Sequence, residues 1–339
     1  MSGLSVVIPS FNSAPWLEST LGALIRSLSY SSWEAEIIVV DDGSTDNSQQ
    51  ILEKIESQTD FDIKVITQKN QGRFLARWSG IQLASKENVL LLDSRVLIDP
   101  DSLGYVETQI KQLDGNAIWN AYVRTDEHSS LPGLFWDVPT RLFWGKFLKN
   151  PHRVRFGAAD FDKNPKGTGC LLLNRELLVD AYKEVWPEKD LALVSDDTRL
   201  LRNLVQKQDI ILDPDFLALY RPRISLKSFV SHTFMRGTLF VDSYAGTSPT
   251  RKIIIFFSAL LPLLFIAFSS SGFLVLSLLI LAALLVVPAV IGAVRNAPLK
   301  ALTSYLLLVL PFGILFWAGL VRGIFVHRRH FGLKKRSSK

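Results

Sequence analysis

The chain has 339 residues, about twice a typical single domain; 48% are apolar and 21% charged, which excludes a disordered protein. Its net charge of +6 is divided, because residues 1–250 carry −5 whereas residues 251–339 hold 11 Lys and Arg side chains and no acid. Since the basic residues flank apolar segments instead of covering a globular surface, a purely soluble protein is excluded and no nucleic-acid partner is expected.

The first hundred residues alternate short apolar runs with helical patterns. The pattern predicts strands at 4–8, 36–40, 63–66 and 89–92 and helices at 14–28, 46–57 and 72–85. The apolar runs are nearly continuous, which is typical of strands covered by helices on both faces. The order therefore predicts an α/β fold with a doubly wound, mostly parallel sheet, in which ligands bind beyond the carboxyl ends of the strands.

The pattern loosens after residue 114. Strands are predicted at 117–123 and 169–173, and helices at 175–185 and 196–206, the last one capped by Ser195. The Trp- and Phe-rich stretch between residues 134 and 156 is either an acceptor-side loop or packing, and we favour packing. A first domain over residues 1–225 follows from these elements.

The next segment is predicted to be an interfacial amphipathic helix, residues 226–250. Its apolar side chains fall on one arc of about 140° at helical spacing: Leu226, Phe229, Val230, Phe234, Phe240, Val241 and Tyr244. A helix of this kind before a membrane segment suits the bilayer interface. The alternative is an ordinary amphipathic helix packed on the sheet.

Residues 251–325 are predicted to form a membrane region, followed by a basic tail over residues 326–339. Forty-two consecutive positions, 253–294, carry no charge, enough for two helical crossings of a core about 30 Å thick. The predicted segments are 253–270, 272–294 and 301–321, with a turn at Ser269–Gly272. The third segment either crosses the membrane or turns back at Pro311-Phe312-Gly313, and we favour the turn.

The sidedness of the membrane region follows from its basic flanks. Arg251 and Lys252 precede the two-helix hairpin and Arg295 and Lys300 follow it, so the positive-inside rule places the first domain and the 295–300 loop on the cytosolic side. The N-terminus lacks the basic n-region and long apolar run of a signal peptide. A cytosolic first domain is expected.

Polar residues follow the predicted strands, at the edge where a ligand would bind. Pro9, Phe11 and Asn12 follow the first strand, and Asp41 and Asp42 end the second. Two adjacent carboxylates at a strand end can accept hydrogen bonds from a nucleobase N–H and from ribose hydroxyls. The alternative is an Asp-Gly turn with local capping.

The segment Asn70-Gln71-Gly72-Arg73 precedes a predicted helix. Free N–H groups at a helix N-terminus, together with Gly72 and the cation Arg73, attract a diphosphate. These residues are therefore candidates for donor binding, with a solvated surface arginine as the alternative for Arg73.

Three motifs in this order resemble family 2 glycosyltransferases, which have the GT-A fold: SVVIPSFN at 5–12, IIVVDDGSTD at 37–46 and NQGRFLARWSG at 70–80. The resemblance is to a membrane-attached bacterial-type member with C-terminal transmembrane segments. It implies an inverting enzyme of the inner or plasma membrane with a cytosolic catalytic domain. Such an enzyme moves a sugar from a nucleoside diphosphate sugar to a hydroxyl of a lipid-linked or polysaccharide acceptor.

The resemblance also implies roles for residues further along the chain. In SDDTRLLR, residues 195–202, Asp197 matches the position of the general base, with Asp196 as its support or alternative. Gly169, in GTGC at 167–170, corresponds to the acceptor or sugar pocket. His232 and Arg236, followed by Gly237, match a motif of membrane-attached members, with Arg236 on the leaving diphosphate and His232 towards the acceptor. Lipid-headgroup contact is the alternative for both.

Asp93-Ser94-Arg95 stands where the family usually has Asp-x-Asp. Asp93 matches the first acid and is expected to bind the ribose or a divalent cation, Mg²⁺ or Mn²⁺. Arg95 replaces the second acid, so either the metal binds through Asp93, the diphosphate and water, or Arg95 itself offsets the diphosphate charge. Retained but weakened metal dependence is expected.

Two other functions are compatible with the sequence. The first is a polyprenyl-phosphate glycosyltransferase, whose acceptor is the lipid phosphate and needs little help from a base. The second is a catalytically silent nucleotide-sugar-binding module at the membrane.

Overall fold

The computed structural model describes residues 3–113, 117–187, 196–222, 225–327 and 331, with Asp196 described by its backbone alone. The chain divides into two compact units. Unit 1 comprises Met1–Asp126 and Asn150–Arg221, and unit 2 comprises Glu127–Lys149 and Pro222–Lys339. Ser195, predicted to cap a helix, lies outside the described residues.

Unit 1 is an α/β unit whose elements are numbered here in chain order. Its strands are β1 Gly3–Ser10, β2 Glu34–Asp41, β3 Asp62–Thr67, β4 Asn88–Leu92, β5 Val96–Ile98, β6 Ile118–Thr125, β7 Val154–Phe156, β8 Cys170–Asn174 and β9 Ile210–Tyr220. Its helices are α1 Ala14–Ser29, α2 Ser48–Glu56, α3 Arg73–Leu83, α4 Ser102–Gln112, α7 Arg175–Glu184 and α8 Asp196–Lys207. A 3-10 helix, Ala158–Lys163, follows β7.

The described strands form one mixed sheet in the order β3-β2-β1-β4-β8-β6-β9-β5, with β7 paired to β9. Strands β3, β2, β1 and β4 are parallel neighbours, β8 is antiparallel to β4 and β6, and β6 and β9 are parallel. This arrangement confirms the predicted α/β fold with a mostly parallel sheet. The carboxyl ends of β2, β1 and β4 are adjacent.

The elements predicted in the first hundred residues are all present, but three strands of unit 1 (β5, β7 and β9) and helix α4 were not predicted. Strands β5 and β7 have three residues each, too short for a pattern to register. In β9 the sequence Asp213-Pro214-Asp215 interrupts the apolar run, and the register with β6 shifts there between Ala121 and Tyr122. A bulge that accommodates a proline reads in sequence as a turn.

Unit 2 is helical. Its elements are α5 Leu131–Leu134, α6 Asp137–Lys149, α9 Leu226–Ala245, α10 Pro249–Phe268, α11 Leu274–Val294 and α12 Leu299–Val326, with a π-type turn at Ser269–Phe273 between α10 and α11. Two described stretches are long and apolar enough to cross a membrane by length and composition, Pro249–Val294 and Leu299–Val326. Helix α12 runs unbroken through Pro311 and Gly313, so the predicted turn in the third segment is wrong.

Helices α9 and α12 pack through small residues. A Cβ added to Gly237 would collide with the Phe316 carbonyl oxygen, and one added to Gly319 would collide with that of Phe234. The Thr238 hydroxyl donates to the Gly319 carbonyl at 3.1 Å. Small residues let two helix backbones approach this closely, as in membrane helix pairs.

The buried face of α9 differs from the predicted apolar stripe. Phe229 and Val241 are buried as expected, but Leu226, Val230 and Phe240 are exposed. The buried face instead contains Thr233, Gly237 and Thr238. Close contact between two helix backbones requires small side chains, and a pattern of large apolar residues does not reveal a face made of Gly and Thr.

Helices α10 and α11 meet at the turn, where Gly272 has φ +93°, and their far ends contact opposite ends of α12. Ile255 of α10 clusters with Leu320 and Ile324 near the end of α12, and the Trp317 indole donates to the Ala259 carbonyl at 2.9 Å. Near the start of α12, a Cβ added to Gly292 at the end of α11 would lie 3.3 Å from the Leu302 side chain, and the Tyr305 hydroxyl donates to the Leu284 carbonyl, halfway along α11, at 3.3 Å. The two helices therefore form an arch over α12.

The segment Glu127–Lys149, called the insert below, leaves unit 1 after β6 and belongs to unit 2. The Arg141 guanidinium donates to the Arg295 carbonyl at 2.7 Å, and the Arg295 guanidinium donates back to the carbonyls of Arg141 and Leu142. Lys300 reaches the His128 carbonyl at 3.3 Å. Residues 134–149 thus serve in packing. They belong to unit 2, whereas the predicted first domain over 1–225 included them.

Candidate active site

The candidate site lies where β1, β2 and β4 end, at the sheet edge where ligands bind in open α/β sheets. Pro9 is buried at the end of β1, whereas the side chain of Phe11 is 48% exposed just beyond it. Asp41 and Asp42 end β2 and are buried. The fold therefore brings these predicted donor-binding residues to one edge.

Asp42 holds the segment that leads into α3. One of its carboxylate oxygens accepts from the Gln68 side chain at 2.7 Å and from the Gln71 N–H at 2.9 Å, and the other accepts from the Gly72 N–H at 2.8 Å. Gly43 has φ +76°, and a Cβ there would lie 2.8 Å from the backbone nitrogen of Asn70. The glycine is required because this segment packs directly against the end of β2.

Asp41 and Asn12 shape the neighbouring loops. Asp41 accepts from the Ser44 N–H at 3.1 Å. The side-chain oxygen of Asn12, which has φ +49°, accepts from the Thr45 N–H at 2.8 Å. Asp41 and Asp42 therefore both accept local capping hydrogen bonds. The second carboxylate oxygen of Asp41 accepts no hydrogen bond from the described residues.

A charged cluster forms where α3, β4, β8 and α8 converge. The fully buried Arg77 guanidinium donates to Asp93 at 2.7 Å and to Asp197 at 3.2 Å. Arg73, one turn earlier on α3 and 42% exposed, lies 3.7 Å from each of the same two carboxylates. The Thr168 hydroxyl donates to Asp197. The structure thus joins Arg73, Asp93 and Asp197, which are far apart in sequence.

The cluster sets the protonation state of Asp197. Desolvation works against the charged form, but the Arg73 and Arg77 guanidinium groups and the Thr168 hydroxyl hold the pKa of Asp197 well below its usual range. The side chain is nevertheless 41% exposed. Asp197 is therefore ionised at neutral pH and accessible, as a general base must be.

Arg77 was not predicted as a site residue, although the motif over residues 70–80 contains it. The available signal was its spacing of four from Arg73, which places both guanidinium groups on one face of α3. A fully buried arginine requires paired charges, and here both of its acidic partners come from other elements.

Arg95 lies between two aromatic rings. Its guanidinium carbon is 5.8 Å from the centre of the Trp16 ring and 5.2 Å from that of Tyr220, a cation–π arrangement. One terminal nitrogen, Nη1, is buried without a hydrogen-bond partner among the described residues. The Nη1 group of Arg95 thus has N–H donors that no described residue accepts.

The residues present fit a divalent metal only with help from a ligand. No group of three or more His, Cys, Asp or Glu residues that could hold a metal occurs within the described part of the chain. Asp93 supplies one carboxylate, which already contacts Arg77 and Arg73. Mg²⁺ is commonly bound by one or two carboxylates plus substrate phosphates, so a metal fits here as a diphosphate complex.

The neighbouring glycine and cysteine differ in their roles. The Gly169 carbonyl accepts from the Asp93 N–H at 2.9 Å, which puts Gly169 beside the cluster; its role in the acceptor or sugar pocket stays a prediction. Cys170 is fully buried, and burial raises the pKa of its thiol. A buried neutral thiol is a packing group, which excludes a nucleophilic role for Cys170.

The remaining predicted residues are placed as follows. His232 and Arg236 are on α9 in unit 2, where the Arg236 guanidinium lies 4.3 Å from the centre of the Trp136 ring. Asp196 begins α8, one residue before Asp197. Asn70 is exposed and Gly72, with φ +91°, caps α3. Their roles in binding stay predictions.

Comparison with known proteins adds the following. Residues 5–178, half of the chain, match the sequence model of the family described as Glycosyl transferase family 2. A 111-residue segment is 32% identical to poly-beta-1,6-N-acetyl-D-glucosamine synthase of Staphylococcus aureus (strain COL), covering 33% of this chain and 26% of that protein. It is 29% identical over 111 residues to the uncharacterized glycosyltransferase YaiP of Escherichia coli (strain K12), covering 32% and 27%. The match spans about a quarter of these relatives.

A solved structure is similar over most of the chain. The mannosyltransferase PcManGT from Pyrobaculum calidifontis, in complex with GDP-Man and Mn²⁺, has a TM-score of 0.54 and 16% identity, covering 95% of this chain and 87% of that one. At this identity the likeness shows the fold, which is GT-A.

Proposed function

The chain belongs to glycosyltransferase family 2, and from this we propose that it is a membrane-attached inverting enzyme using a nucleoside diphosphate sugar. The acceptor proposed is a hydroxyl of a lipid-linked sugar or a polysaccharide. The observation that carries the proposal is the cluster of Asp197, Arg73, Arg77 and Asp93 at the carboxyl edge of the sheet. It joins a base, two cations and a donor-site carboxylate.

Donor recognition is assigned to the ends of β1 and β2 and to the start of α3. Asp41 would accept from the nucleobase or ribose, with the exposed ring of Phe11 following the end of the adjacent strand β1, while Asp42 positions the α3 N-terminus. The free N–H groups there and the half-exposed Arg73 would bind the diphosphate. Arg236 and His232 are proposed for the leaving group and acceptor, as the family resemblance implies.

Asp197 is proposed as the general base. It would remove the proton of the acceptor hydroxyl as that oxygen attacks the anomeric carbon, while the nucleoside diphosphate leaves from the opposite face. In this single displacement the anomeric configuration inverts. Diphosphate binding would draw Arg73 away from Asp197, which raises the proton affinity of the carboxylate when the acceptor arrives.

A divalent metal is generic to this family, and Asp93 is the residue proposed to hold it. When bound, Mg²⁺ or Mn²⁺ would offset charge on the leaving diphosphate. Arg77 stays paired with Asp93 and Asp197 and keeps both carboxylates oriented. Arg95 offers the N–H donors of its Nη1 group to a ligand oxygen.

Membrane attachment with a cytosolic catalytic unit is proposed from the apolar helices of unit 2. The loop between α11 and α12 supports this sidedness, because Arg295 and Lys300 bind the insert. The insert continues directly into unit 1 at both of its ends, so the basic loop and the catalytic unit share one side.

The proposed function is tested with the purified chain in detergent and a panel of UDP-, GDP- and dTDP-sugars, with and without divalent metal. We expect one of these donors to raise the midpoint of thermal unfolding of the protein. When membrane lipid is added as a source of acceptor, the enzyme should release nucleoside diphosphate from that donor. Binding without turnover would instead support a silent module. Full turnover by Asp197→Asn on a lipid phosphate would support the polyprenyl-phosphate enzyme.

A further inference from the structure

Helix α9 runs parallel to α12 along most of its length. Phe229 near the start of α9 contacts Phe135 edge to face and Tyr305 near the start of α12 stacks on it, at 5.3 and 5.9 Å between ring centres. Further along, Gly237 meets Phe316. At the far end, Asp242 lies 3.7 Å from His327. The two helices therefore share one orientation, and α12 cannot cross a bilayer unless α9 crosses with it.

The middle of α12 contacts the insert, close to the charged Arg236 of α9. The ring of Phe312, halfway along α12, lies 5.1 Å from the Trp136 ring of the insert. Arg236 of α9 is exposed, and its guanidinium lies 4.3 Å from the centre of the same Trp136 ring. If α12 crossed the bilayer, Arg236 would lie near mid-depth, where an arginine side chain is costly to insert. Tryptophan and arginine side by side are typical of the interface.

The arch of α10 and α11 has its two ends at opposite ends of α12, with Ile255 of α10 beside Leu320 and Gly292 of α11 beside Leu302. With 20 and 21 residues, its legs are each about 30 Å long, and α12, with 28 residues, is about 42 Å long. Straight legs of this length that start from the two ends of such a base would put the turn at Ser269–Phe273 roughly 20 Å from α12, short of the roughly 30 Å of a hydrocarbon core.

We propose that unit 2 is a one-sided anchor: α9 and α12 lie along the membrane interface, and the α10–α11 arch enters the bilayer and returns without crossing it. The proposal rests on the membrane attachment proposed above. Lipid is proposed to surround the arch, because the side chains of both helices are apolar and exposed over most of their length.

Two further observations agree with a single-sided anchor. If α12 does not cross, the seven Lys and Arg residues that follow Val321 in the sequence remain on the same side as Arg295 and Lys300, as the positive-inside rule favours. On the insert, Phe143 is 79% exposed and is followed by the exposed Lys146 and Lys149. An exposed aromatic ring with flanking lysines suits the headgroup region.

The test is cysteine labelling in the full chain, with the fully buried native Cys170 left in place. Single variants Gln58→Cys in unit 1, Ser270→Cys at the turn of the arch and Ser338→Cys in the tail are treated with a membrane-impermeant maleimide. Intact cells are compared with inside-out vesicles and with detergent-solubilised protein. Position 58 reports the side of the catalytic unit.

We expect positions 58 and 338 to be labelled in inside-out vesicles and protected in intact cells. Position 270 should be protected in both and labelled only in detergent. Labelling of position 338 in intact cells would show that α12 crosses, and labelling of position 270 there would show that the arch crosses; either result overturns the proposal. Labelling of position 58 in intact cells, or a chain that fails to sediment with membranes, would refute the proposed attachment instead.

Discussion

Two acids and two arginines meet at the end of the sheet, and the chemistry assigned to each can be separated by single substitutions. Asp197 is the only one of the four assigned to proton transfer. We expect Asp197→Asn to lower turnover at least about a hundredfold, because a general base typically contributes about 10² to 10⁴ in rate. Turnover with the preferred donor, and donor affinity by thermal shift, would be measured side by side.

Donor affinity should stay nearly unchanged in Asp197→Asn, since asparagine keeps the size of the side chain and its bond with Thr168. Asp160→Asn is the matched control, because Asp160 is half exposed and pairs only with Lys163 among the contacts described. Near-full activity of Asp197→Asn would assign the base to another residue.

Arg95 allows a second test at the residue scale, on the metal. Wild-type activity should fall substantially in excess chelator, because two phosphates carry more charge than one guanidinium offsets. Arg95→Asp should depend on metal more strongly than wild type, since the variant restores the second acid of Asp-x-Asp. Activity is titrated against free Mg²⁺ and Mn²⁺ for both proteins.

Arg26→Asp, a change of the same charge on the exposed face of α1, is the control for this experiment. Unchanged wild-type activity in chelator would contradict the assignment of a metal to Asp93. In that case Arg95 and the α3 arginines would be the groups that neutralise the diphosphate.

At the scale of secondary-structure elements, Glu36 joins β2 to its neighbours. Its buried carboxylate accepts from the Ser5 hydroxyl and the Lys64 ammonium at 2.7 Å and from the Ser85 N–H at 2.7 Å. Burial alone would raise the pKa, but these bonds outweigh it and lower the pKa of Glu36 from 4.5 to about 2. The stabilisation is therefore present above about pH 4.5 and is lost as the pH falls towards 2.

Glu36→Gln should lower the midpoint of thermal unfolding at neutral pH, by the equivalent of roughly 3 kcal/mol or less. The difference from wild type should narrow as the pH falls below about 4.5, because wild type then loses the same charge. Glu34→Gln is the control on the same strand, since its ion pair with Lys86 is exposed. A difference independent of pH would refute the assignment.

The contact of α9 with α12 gives a second test at this scale. Gly319→Ala should destabilise the chain by about 1–3 kcal/mol, because the added Cβ meets the Phe234 carbonyl oxygen. Gly313→Ala on the same helix is the control, since a Cβ there has nothing within 4 Å. Thermal unfolding in detergent compares the two. Equal midpoints would mean that α9 and α12 are not held this closely.

At the scale of the whole molecule, the sequence predicts those features that depend on residues close together along the chain. The strands β1 to β4 and the helices between them follow from contiguous apolar runs, and the strand-end position of Asp41 and Asp93 follows from them. Arg77 could not be assigned in the same way, because its role depends on Asp93 and Asp197, 16 and 120 residues away. The membership of the insert in unit 2 depends likewise on Arg295, which lies 154 residues from Arg141.

The polypeptide passes between the two units three times, after Asp126, after Lys149 and after Arg221. A covalent cut at the last passage therefore leaves the catalytic fragment bound through Phe135, which is enclosed by Trp136, Phe229, Tyr305 and Phe312. With a protease site inserted after Pro222, we expect the cleaved fragment 1–222 to sediment with membranes. The same cut combined with Phe135→Asp should release it. The catalytic fragment and the anchor would then behave as two halves that assemble without a continuous backbone.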